Sequence, residues 1–148
     1  MPHDSDKYTE LLTAAARIDK RATVESALLH SFLKSQKAGI VLVDAEGKLI
    51  DTSRFGVQIQ HPGMKHIGKD LPCVEWEPIL GKVFDSNGDY LPPNQWPIAL
   101  AIKGEASCLL VSTLVDGERL FHECDARPLF DESGSQVGAV VYFRVIEQ

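Results

Sequence analysis

The last third of the chain, residues 106–148, reads ASCLLVSTLVDGERLFHECDARPLFDESGSQVGAVVYFRVIEQ and holds three apolar runs separated by two turns. Asp116-Gly117 between the first two runs indicates a tight hairpin, because both central residues of the favoured two-residue turn take a positive φ, which Asp and Gly tolerate. The sequence DESGS at residues 131–135 indicates a second turn, and the run that follows it is rich in β-branched and aromatic residues. The segment therefore predicts a three-stranded antiparallel meander.

The second and third strands of this meander differ in how apolar their two faces are. In the third strand, Val140 and Tyr142 make one face as apolar as the face of Val141 and Phe143, which is typical of a central strand covered on both sides. The second strand alternates with a period of two, as a half-buried strand does. One of its faces carries Leu120, His122, Cys124 and Ala126. We therefore expect an imidazole on a largely apolar sheet face.

The composition is that of an ordinary globular domain. The chain has 148 residues, of which 44% are hydrophobic and 24% charged, and this predicts one core without a second domain. A net charge of −6 argues against nucleic-acid binding, because that affinity is built from Lys and Arg side chains that neutralise phosphates. The three cysteines never form a C-x-x-C pair, which indicates neither a disulfide framework nor a zinc ribbon and fits a reducing cytoplasm. No run approaches the ~18 apolar residues of a membrane span, so we expect a cytoplasmic segment without a membrane anchor of its own.

Residues 6–37 predict one long helix. The segment has no Gly or Pro, and its apolar residues step by three and four, with Glu25 the one polar member of the repeat. Two interpretations stay open, an amphipathic helix on the domain surface and a coiled coil that joins two copies. We assign residues 1–37 to this amphipathic or dimerisation helix and residues 38–148 to the globular domain. The repeat consists of Tyr8, Leu11, Ala15, Ile18, Ala22, Glu25, Leu29 and Phe32.

The first part of the globular domain predicts a second hairpin. Residues 40–43, IVLV, form an apolar run, and the turn at residues 44–47 leads back into a second predicted strand over residues 48–52, KLIDT. With these two strands, five strands are predicted in all. Residues 53–105 have no long period, and we expect them to form short helices and loops packed over one face of the sheet.

Two features stand out within that cover. Asn87-Gly88 predicts a turn in a small hairpin, whereas a calcium loop would need Gly at the position of Tyr90 and Glu at that of Trp96. Residues 94–104 predict a short helix, with Asn94 as N-cap candidate, a proline in the first turn and a glycine at the end.

Five pieces of the sequence, preceded by a helix, together resemble one family. They are residues 38–47 (AGIVLVDAEG), 88–105 (GDYLPPNQWPIALAIKGE), 116–117 (DG), 126–134 (ARPLFDESG) and 137–144 (VGAVVYFR). Over residues 38–147 the chain resembles a PAS domain, the sensory and interaction module of signal-transduction proteins. The resemblance implies an α+β fold, with a five-stranded antiparallel sheet in the order 2-1-5-4-3, short helices over one face and the long N-terminal helix on the other.

The cofactors of PAS families depend on residues that this sequence lacks. Covalent flavin photochemistry uses an Asn-Cys-Arg-Phe motif, and none of the three cysteines has that context. Haem-binding members take a His from the helical cap, whereas residues 95–103 contain none and His61 and His66 belong to a loop with Gly and Pro. His122 and Cys124 could reach one metal ion, but two ligands without a third are not a metal site. We therefore expect no covalent flavin, no haem and no metal, and the identity of any other cofactor is unknown.

The resemblance also implies that the sheet face carrying His122 looks into a pocket under the helical cap. His122 then has two interpretations, a core histidine bonded to a neighbouring carbonyl or hydroxyl and a ligand contact. The walls are expected to be mainly apolar, which suits a small apolar or amphiphilic ligand. The predicted lining consists of Leu120, His122, Cys124, Ala126, Ile98, Ile102 and one of the adjacent Leu109 and Leu110, of which we assign Leu110.

We predict that the chain is a non-catalytic sensory and dimerisation module of a larger signal-transduction protein, such as a histidine kinase or a cyclic-dinucleotide enzyme. The output domain would lie elsewhere in the parent chain. The sequence holds no nucleophile elbow, phosphate loop, kinase catalytic loop or zinc-protease motif. The alternative is a small stand-alone enzyme or ligand carrier that uses the same pocket, which a complete reading frame ending at Gln148 would favour.

The outer face of the sheet is predicted to carry an apolar patch that a monomer would not leave exposed. The long helix is apolar enough to cover this patch, and its repeat is expected to meet a second copy in a two-fold homodimer. The residues assigned to this packing are Tyr8, Leu11, Ile18, Leu29, Phe32, Phe121 and Tyr142.

Overall fold

The computed structural model of the protein describes residues 23–35, 39–53 and 62–146. Helix α1 spans residues 23–35, and the further helices are α2 (Glu77–Leu80), α3 (Pro97–Ile102) and 3-10 turns at Pro62–His66, Cys73–Glu75 and Pro93–Gln95. The strands are β1 (Gly39–Asp44), β2 (Leu49–Thr52), β3 (Val83–Phe84), β4 (Tyr90–Leu91), β5 (Ser107–Val115), β6 (Glu118–Phe130) and β7 (Gln136–Val145). Within these described ranges, no helix is both long and apolar enough to cross a membrane.

Helix α1 corresponds to the second part of the predicted N-terminal helix. Residues 6–22, 36 and 37 lie outside the described residues, and so do Tyr8, Leu11 and Ile18 of the predicted repeat. The chain divides into two compact units, Met1–Phe32 and Leu33–Gln148. In the first unit the described residues are helical, and large apolar side chains on this helix are exposed, including those of Leu29 and Phe32.

The last turn of α1 belongs to the second unit, because two of its side chains contact the sheet. Leu33 is buried against Ile40 of β1. Lys34 Nζ donates to the backbone oxygen of Thr52 at 2.9 Å and forms an ion pair with Asp51 Oδ1 at 3.3 Å. Adjacent apolar and ionic contacts therefore hold this turn beside β1 and β2.

The strands form one antiparallel sheet in the order β2-β1-β7-β6-β5-β3-β4. The first five strands of this order are the predicted strands in the predicted arrangement 2-1-5-4-3, so the α+β fold class is confirmed. Strand β7 pairs with β1 on one side and β6 on the other, which confirms its central position. The three-stranded meander is β5-β6-β7.

The strand count needs a correction from five to seven. The small hairpin predicted at Asn87-Gly88 is present as β3 and β4, but it also joins the main sheet. Val83 pairs with Thr113 and Phe84 pairs with Ser112 on β5. The physical reason is that β5 would otherwise be an edge strand with unpaired backbone N–H and C=O groups along its whole length, and the short hairpin covers part of that edge.

The turn between β5 and β6 has the predicted geometry. Asp116 has φ of 51° and Gly117 has φ of 82°, so both central residues are left-handed as a two-residue hairpin requires. Such a turn leaves no freedom in the pairing, and each residue of β5 therefore pairs with the residue of β6 at the same distance from the turn. Val111 lies opposite His122, and Leu109 lies opposite Cys124.

Three other turns share one sequence pattern, an Asp followed three residues later by a Gly. In each, the Asp Oδ1 accepts hydrogen bonds at 2.9 to 3.0 Å from the backbone N–H groups two and four residues later. In each, the Gly has a φ between 83° and 86°, a region that side chains disfavour. The pattern therefore works as a local turn signal at three places in the sheet. The turns begin at Asp44, Asp85 and Asp131.

The described residues cover the two faces of the sheet unequally. The inner face carries the main hydrophobic core, which includes Val41, Cys124 and Phe143. The outer face carries a small cluster in which Val140 is buried with the last turn of α1. Tyr142, on the same outer side of β7, is 44% exposed, so the predicted cover on both sides of this strand holds for Val140 and not for Tyr142.

Candidate functional site

A cavity of about 90 Å³ lies between the inner face of the sheet and the helices that cap it. Its walls are almost entirely apolar, and they come from segments far apart in the sequence. The sheet contributes Val41, Val83, Val111, Thr113, Cys124, Val141 and Phe143. The cap contributes Met64, Trp76, Leu80, Trp96, Pro97 and Ile98.

Two tryptophans hold the cap in the same way. Trp76 Nε1 donates to the backbone oxygen of Leu71 at 2.7 Å, and Trp96 Nε1 donates to that of Leu91 at 3.0 Å. In both cases the acceptor lies five residues before the indole. Because each N–H already has its partner, the rings contribute apolar surface to the cavity and no free donor.

The start of α3 differs from the prediction in detail. Asn94 was predicted as the N-cap, whereas it lies in the 3-10 turn Pro93–Gln95 and the helix begins at Pro97. Trp96 takes the N-cap position, with an extended backbone at φ −60° and ψ 148°. A residue before proline favours this extended conformation, and it leaves the Trp96 side chain in the cap.

Phe143 reaches the cavity because its neighbour on β1 has no side chain. Gly39 pairs with Phe143, and a Cβ on Gly39 would overlap the Phe143 ring. The ring therefore lies across β1 and fills the space where a larger residue would stand. Phe143 also contacts His122, with ring centroids 6.3 Å apart and an interplanar angle of 75°, an edge-to-face geometry.

The structure brings some of the predicted pocket residues to the cavity and leaves others beside it. Cys124 and Ile98 line it. His122, Leu120, Ala126 and Ile102 are not among the described lining residues, although the first three alternate with Cys124 along the same face of β6. His122 and Ala126 are fully buried, and Ile102 packs against the same core. These four therefore form the surroundings of the cavity and not its wall.

Leu110 requires a correction. It lies in register with Glu123, which places it on the outer face, and it is 40% exposed there. Leu109, the other candidate of the pair, lies in register with Cys124 on the inner face, but it is 37% exposed and is not among the described lining residues. The reason is the alternation of the strand, because adjacent residues point to opposite faces. The signal was present in the sequence, since the two-residue turn at Asp116-Gly117 fixes which residues of β5 share the face of Cys124.

Thr113 is one of several lining residues that were not predicted from the sequence. It is only 3% exposed, and its Oγ1 has no hydrogen-bond partner among the described residues. It lies in register with Leu120 on one side and with Val83 on the other, so its neighbours along the sheet are apolar. A buried hydroxyl without a partner costs free energy, and such a group calls for an explanation.

The electrostatic character of the cavity is neutral. None of the described lining residues carries a charge at neutral pH. Burial raises the pKa of the Cys124 thiol from 9.0 to about 12, so that it stays protonated. Within the described part of the chain, no cluster of three or more His, Cys, Asp or Glu residues could hold a metal ion. His66 is exposed on its 3-10 turn, and His61 lies outside the described residues.

The outer face combines exposed apolar side chains with the charged side chain of Arg119. Leu114 is 53% exposed on β5, and the half-buried Phe121 of β6 lies on the same face in register with Ser112. The Arg119 guanidinium lies 4.8 Å from the centre of the Phe84 ring and donates from Nη1 to Ser112 Oγ at 2.8 Å. This face therefore keeps apolar surface available beside groups that stay hydrated.

The chain matches no protein-family model and no curated protein sequence. Its fold is similar to solved structures, among them the PAS domain of an HTR-like protein from Haloarcula marismortui, at 15% identity and a TM-score of 0.53 over 88% of this chain and 99% of that one. The PAS domain of BvgS from Bordetella pertussis is 13% identical, with a TM-score of 0.54 over 82% of this chain and 86% of that one. The phage VqmA-DPO complex is 12% identical, with a TM-score of 0.58 over 86% of this chain and 56% of that one. With the strand order and the capped inner face, these similarities show that the chain has the PAS fold.

Proposed function

We propose that this chain is a non-catalytic PAS-type sensory and dimerisation module of a larger signal-transduction protein, and that it binds a small apolar ligand in its cavity. The observation that carries the proposal is the cavity of about 90 Å³ between the sheet and the cap. Transfer of an apolar molecule from water into apolar walls is favourable. A histidine kinase or a cyclic-dinucleotide enzyme is the kind of parent protein that such a module would regulate.

The chemistry of the cavity supports a binding role over catalysis. General acid–base and nucleophilic catalysis need a titratable or activated group that contacts the substrate. The described lining contains one titratable group, the Cys124 thiol, and burial raises its pKa to about 12. A thiol of that pKa is protonated at neutral pH and is a poor nucleophile.

Exposed apolar side chains support the dimerisation role. In residues 23–32 the helix exposes Leu29 and Phe32, which belong to the predicted repeat. The outer sheet face separately exposes Tyr142 and Leu114. Apolar side chains grouped on a helix stripe favour association with a second copy, because association removes them from water. The proposed compartment is the cytoplasm, and the three free cysteines fit its reducing conditions.

The ligand-binding part is tested by filling the cavity. Val111→Phe places an aromatic ring where a ligand would lie, and the control Val137→Phe makes the same change at an exposed position of β7. We expect uncharged alcohols and arenes to shift the ¹³C-methyl NMR signals of Val141 in the wild type and in the control, and not in Val111→Phe. Equal shifts in all three proteins would contradict a site in this cavity.

The dimerisation part is tested on the helix. Leu29→Glu puts a charge into the repeat, and the control Ser31→Glu puts the same charge on an exposed neighbouring position. We expect sedimentation equilibrium to show a dimer whose Kd rises at least about tenfold with Leu29→Glu, since a buried apolar contact of this size contributes roughly 1.5 to 3 kcal/mol. The control should leave the Kd unchanged. A wild-type chain that stays monomeric at high micromolar concentration would refute the dimer.

A sensor differs from a ligand carrier in what binding does to the assembly. For a sensor, we expect a saturating probe in the cavity to change the dimer Kd or the hydrogen exchange of α1, because the signal must leave the pocket. A carrier would bind the same probe without either change. Sedimentation equilibrium and hydrogen exchange with and without the probe therefore separate the two alternatives.

A further inference from the structure

One described residue of the cavity wall, Thr113, carries a buried side-chain oxygen, Oγ1, that lacks a hydrogen-bond partner among the described residues. The two indole N–H groups of the cap already donate to backbone oxygens. A threonine hydroxyl donates one hydrogen bond and also accepts hydrogen bonds, so it is the side-chain group through which these walls can recognise a polar atom.

Water is a poor partner for this hydroxyl. A buried water is held by about three hydrogen bonds, and it needs two to four polar partners. The described walls offer the Thr113 hydroxyl and the Cys124 thiol, which is a weak donor and acceptor. A molecule that satisfies the hydroxyl with one polar group and fills the remaining space with carbon suits these walls better than water does.

We infer that the cavity binds a compact, uncharged, apolar molecule with a single hydrogen-bonding group, and that Thr113 Oγ1 is the atom that bonds to this group. The inference rests on the proposed ligand-binding function and adds the chemical class of the ligand. An ionised ligand is disfavoured, because the described walls carry no opposite charge and desolvation of an unpaired charge is costly. A ligand with several polar groups is disfavoured as well, because all but one or two of these groups would lose their hydrogen bonds to water without gaining a partner in the walls.

The volume limits the size of this molecule. A cavity of about 90 Å³ is smaller than the ~150 Å³ apolar cavity that encloses benzene in an engineered protein. The part of the ligand inside the cavity therefore has on the order of five non-hydrogen atoms. Isobutanol has this size and a single hydroxyl, and isopentane has the same shape with a methyl group in place of the hydroxyl. These two compounds are the probes of the test.

The test compares both probes on three proteins, the wild type, Thr113→Val and Thr113→Ser. Val keeps the shape of Thr and replaces the hydroxyl by a methyl group, whereas Ser keeps the hydroxyl. The affinities are measured from the ¹³C-methyl NMR shifts of Val111 and Val141. We expect Thr113→Val to lower the ratio of isobutanol affinity to isopentane affinity roughly tenfold, the effect of one buried hydrogen bond. Thr113→Ser should keep the ratio within about threefold of the wild type.

The possible outcomes separate this inference from the proposed function. A ratio that falls in Thr113→Val and is kept in Thr113→Ser supports the inference. Binding of both probes with a ratio that Thr113→Val does not change overturns the role of Thr113 and leaves the ligand-binding function intact. A ratio that falls equally in Thr113→Ser also overturns it, since the hydroxyl would not be the cause. Absence of any shift with either probe in the wild type overturns the proposed ligand binding and this inference with it.

Discussion

The inner and outer faces of the sheet belong to the same strands, yet the described residues cover them to different degrees. The inner face lies under the cap and carries the larger cluster of buried apolar side chains. Leu109 and Val137, towards the ends of their strands, are exposed on this face. The outer face has a buried cluster only where Leu33 meets Ile40 and Val140, while Leu114 and Tyr142 are exposed. The difference indicates that the stability of the fold comes mainly from the inner side.

The sharpest test of this comparison removes one large side chain from each face. Trp96→Ala deletes a buried indole and its hydrogen bond to the Leu91 oxygen, and we expect a loss of about 3 to 5 kcal/mol in the free energy of unfolding. Leu114→Ala on the exposed outer face should change it by at most about 0.5 kcal/mol. Equilibrium urea unfolding measures both. Similar losses for the two variants would contradict the assignment of stability to the inner face.

The buried cluster on the outer face should contribute less to the free energy of unfolding than the inner core does, but by a measurable amount. Leu33→Ala removes a buried side chain that packs on Ile40, and a loss of about 2 to 3 kcal/mol is expected. Leu28→Ala, at an exposed position of the same helix, is the matched control and should stay within about 0.5 kcal/mol of the wild type. The same urea titration decides the point. If the two variants were equally stable, the contact of the last turn of α1 with the sheet would be unimportant in solution.

Two adjacent hydroxyls on β5 should respond in opposite directions. Thr113→Val removes an unsatisfied hydroxyl from the inner face, and we expect the free energy of unfolding to rise by about 1 kcal/mol. Ser112→Ala removes the acceptor of the Arg119 hydrogen bond on the outer face, and a fall of about 1 kcal/mol is expected. Thermal unfolding of the ligand-free protein measures both. A destabilised Thr113→Val would mean that its hydroxyl has a partner in solution.

The reactivity of the cysteines should differ between the exposed outer face and the buried core, and it can be measured in the wild-type protein. Cys108 is exposed and lies in register with Asp125, whereas Cys124 and Cys73 are buried. Burial raises the pKa of Cys73 from 9.0 to about 11 and that of Cys124 from 9.0 to about 12. At pH 8 we expect iodoacetamide to modify Cys108 alone in the folded protein and all three cysteines in urea. Mass spectrometry identifies the sites, and equal rates at Cys108 and Cys124 would contradict the burial of the latter.

The same thiols predict how stability changes at alkaline pH. A thiol whose pKa is raised on folding is held in its neutral form by the folded state, so its contribution is complete below the unfolded value of 9.0. The contribution is lost as the pH rises from there towards the folded values of about 11 and about 12. The free energy of unfolding should therefore fall over this range. Cys124→Ala should show a smaller fall than the wild type, and an unchanged slope would refute the assignment.

Much of the sheet could be predicted because its signals are local. Asp116-Gly117 determined a two-residue turn, and the alternation around His122 and Cys124 determined which face of β6 is buried. The Asp44, Asp85 and Asp131 turns depend on contacts within five residues. The addition of β3 and β4 to β5 could not be read in this way. It depends on a pairing of Val83 with Thr113, two residues far apart in sequence.

The candidate site was predicted less completely than the sheet. Cys124 could be predicted from the alternation of its strand, and Ile98 from the pattern of the short helix, and both line the cavity. Leu110 was assigned to the pocket although the turn register already placed Leu109 on the inner face, so this residue was predictable from the sequence. Thr113 follows from the same register, as the residue two positions beyond Val111. Met64 and Trp76 had no such signal.

The sequence by itself determined the turns, the faces of the long strands and their order through the resemblance to a known family. Each turn and each alternation depends on the backbone preferences of neighbouring residues, and these act before any tertiary contact forms. Only the tertiary structure decided which side chains of the cap form the walls of the cavity. Trp76 and Trp96 cover it because their indoles bond to backbone oxygens five residues earlier while their rings pack on strands distant in sequence. The burial of the Thr113 hydroxyl without a partner is a consequence of that packing, since its surroundings come from β3, β6 and the cap together.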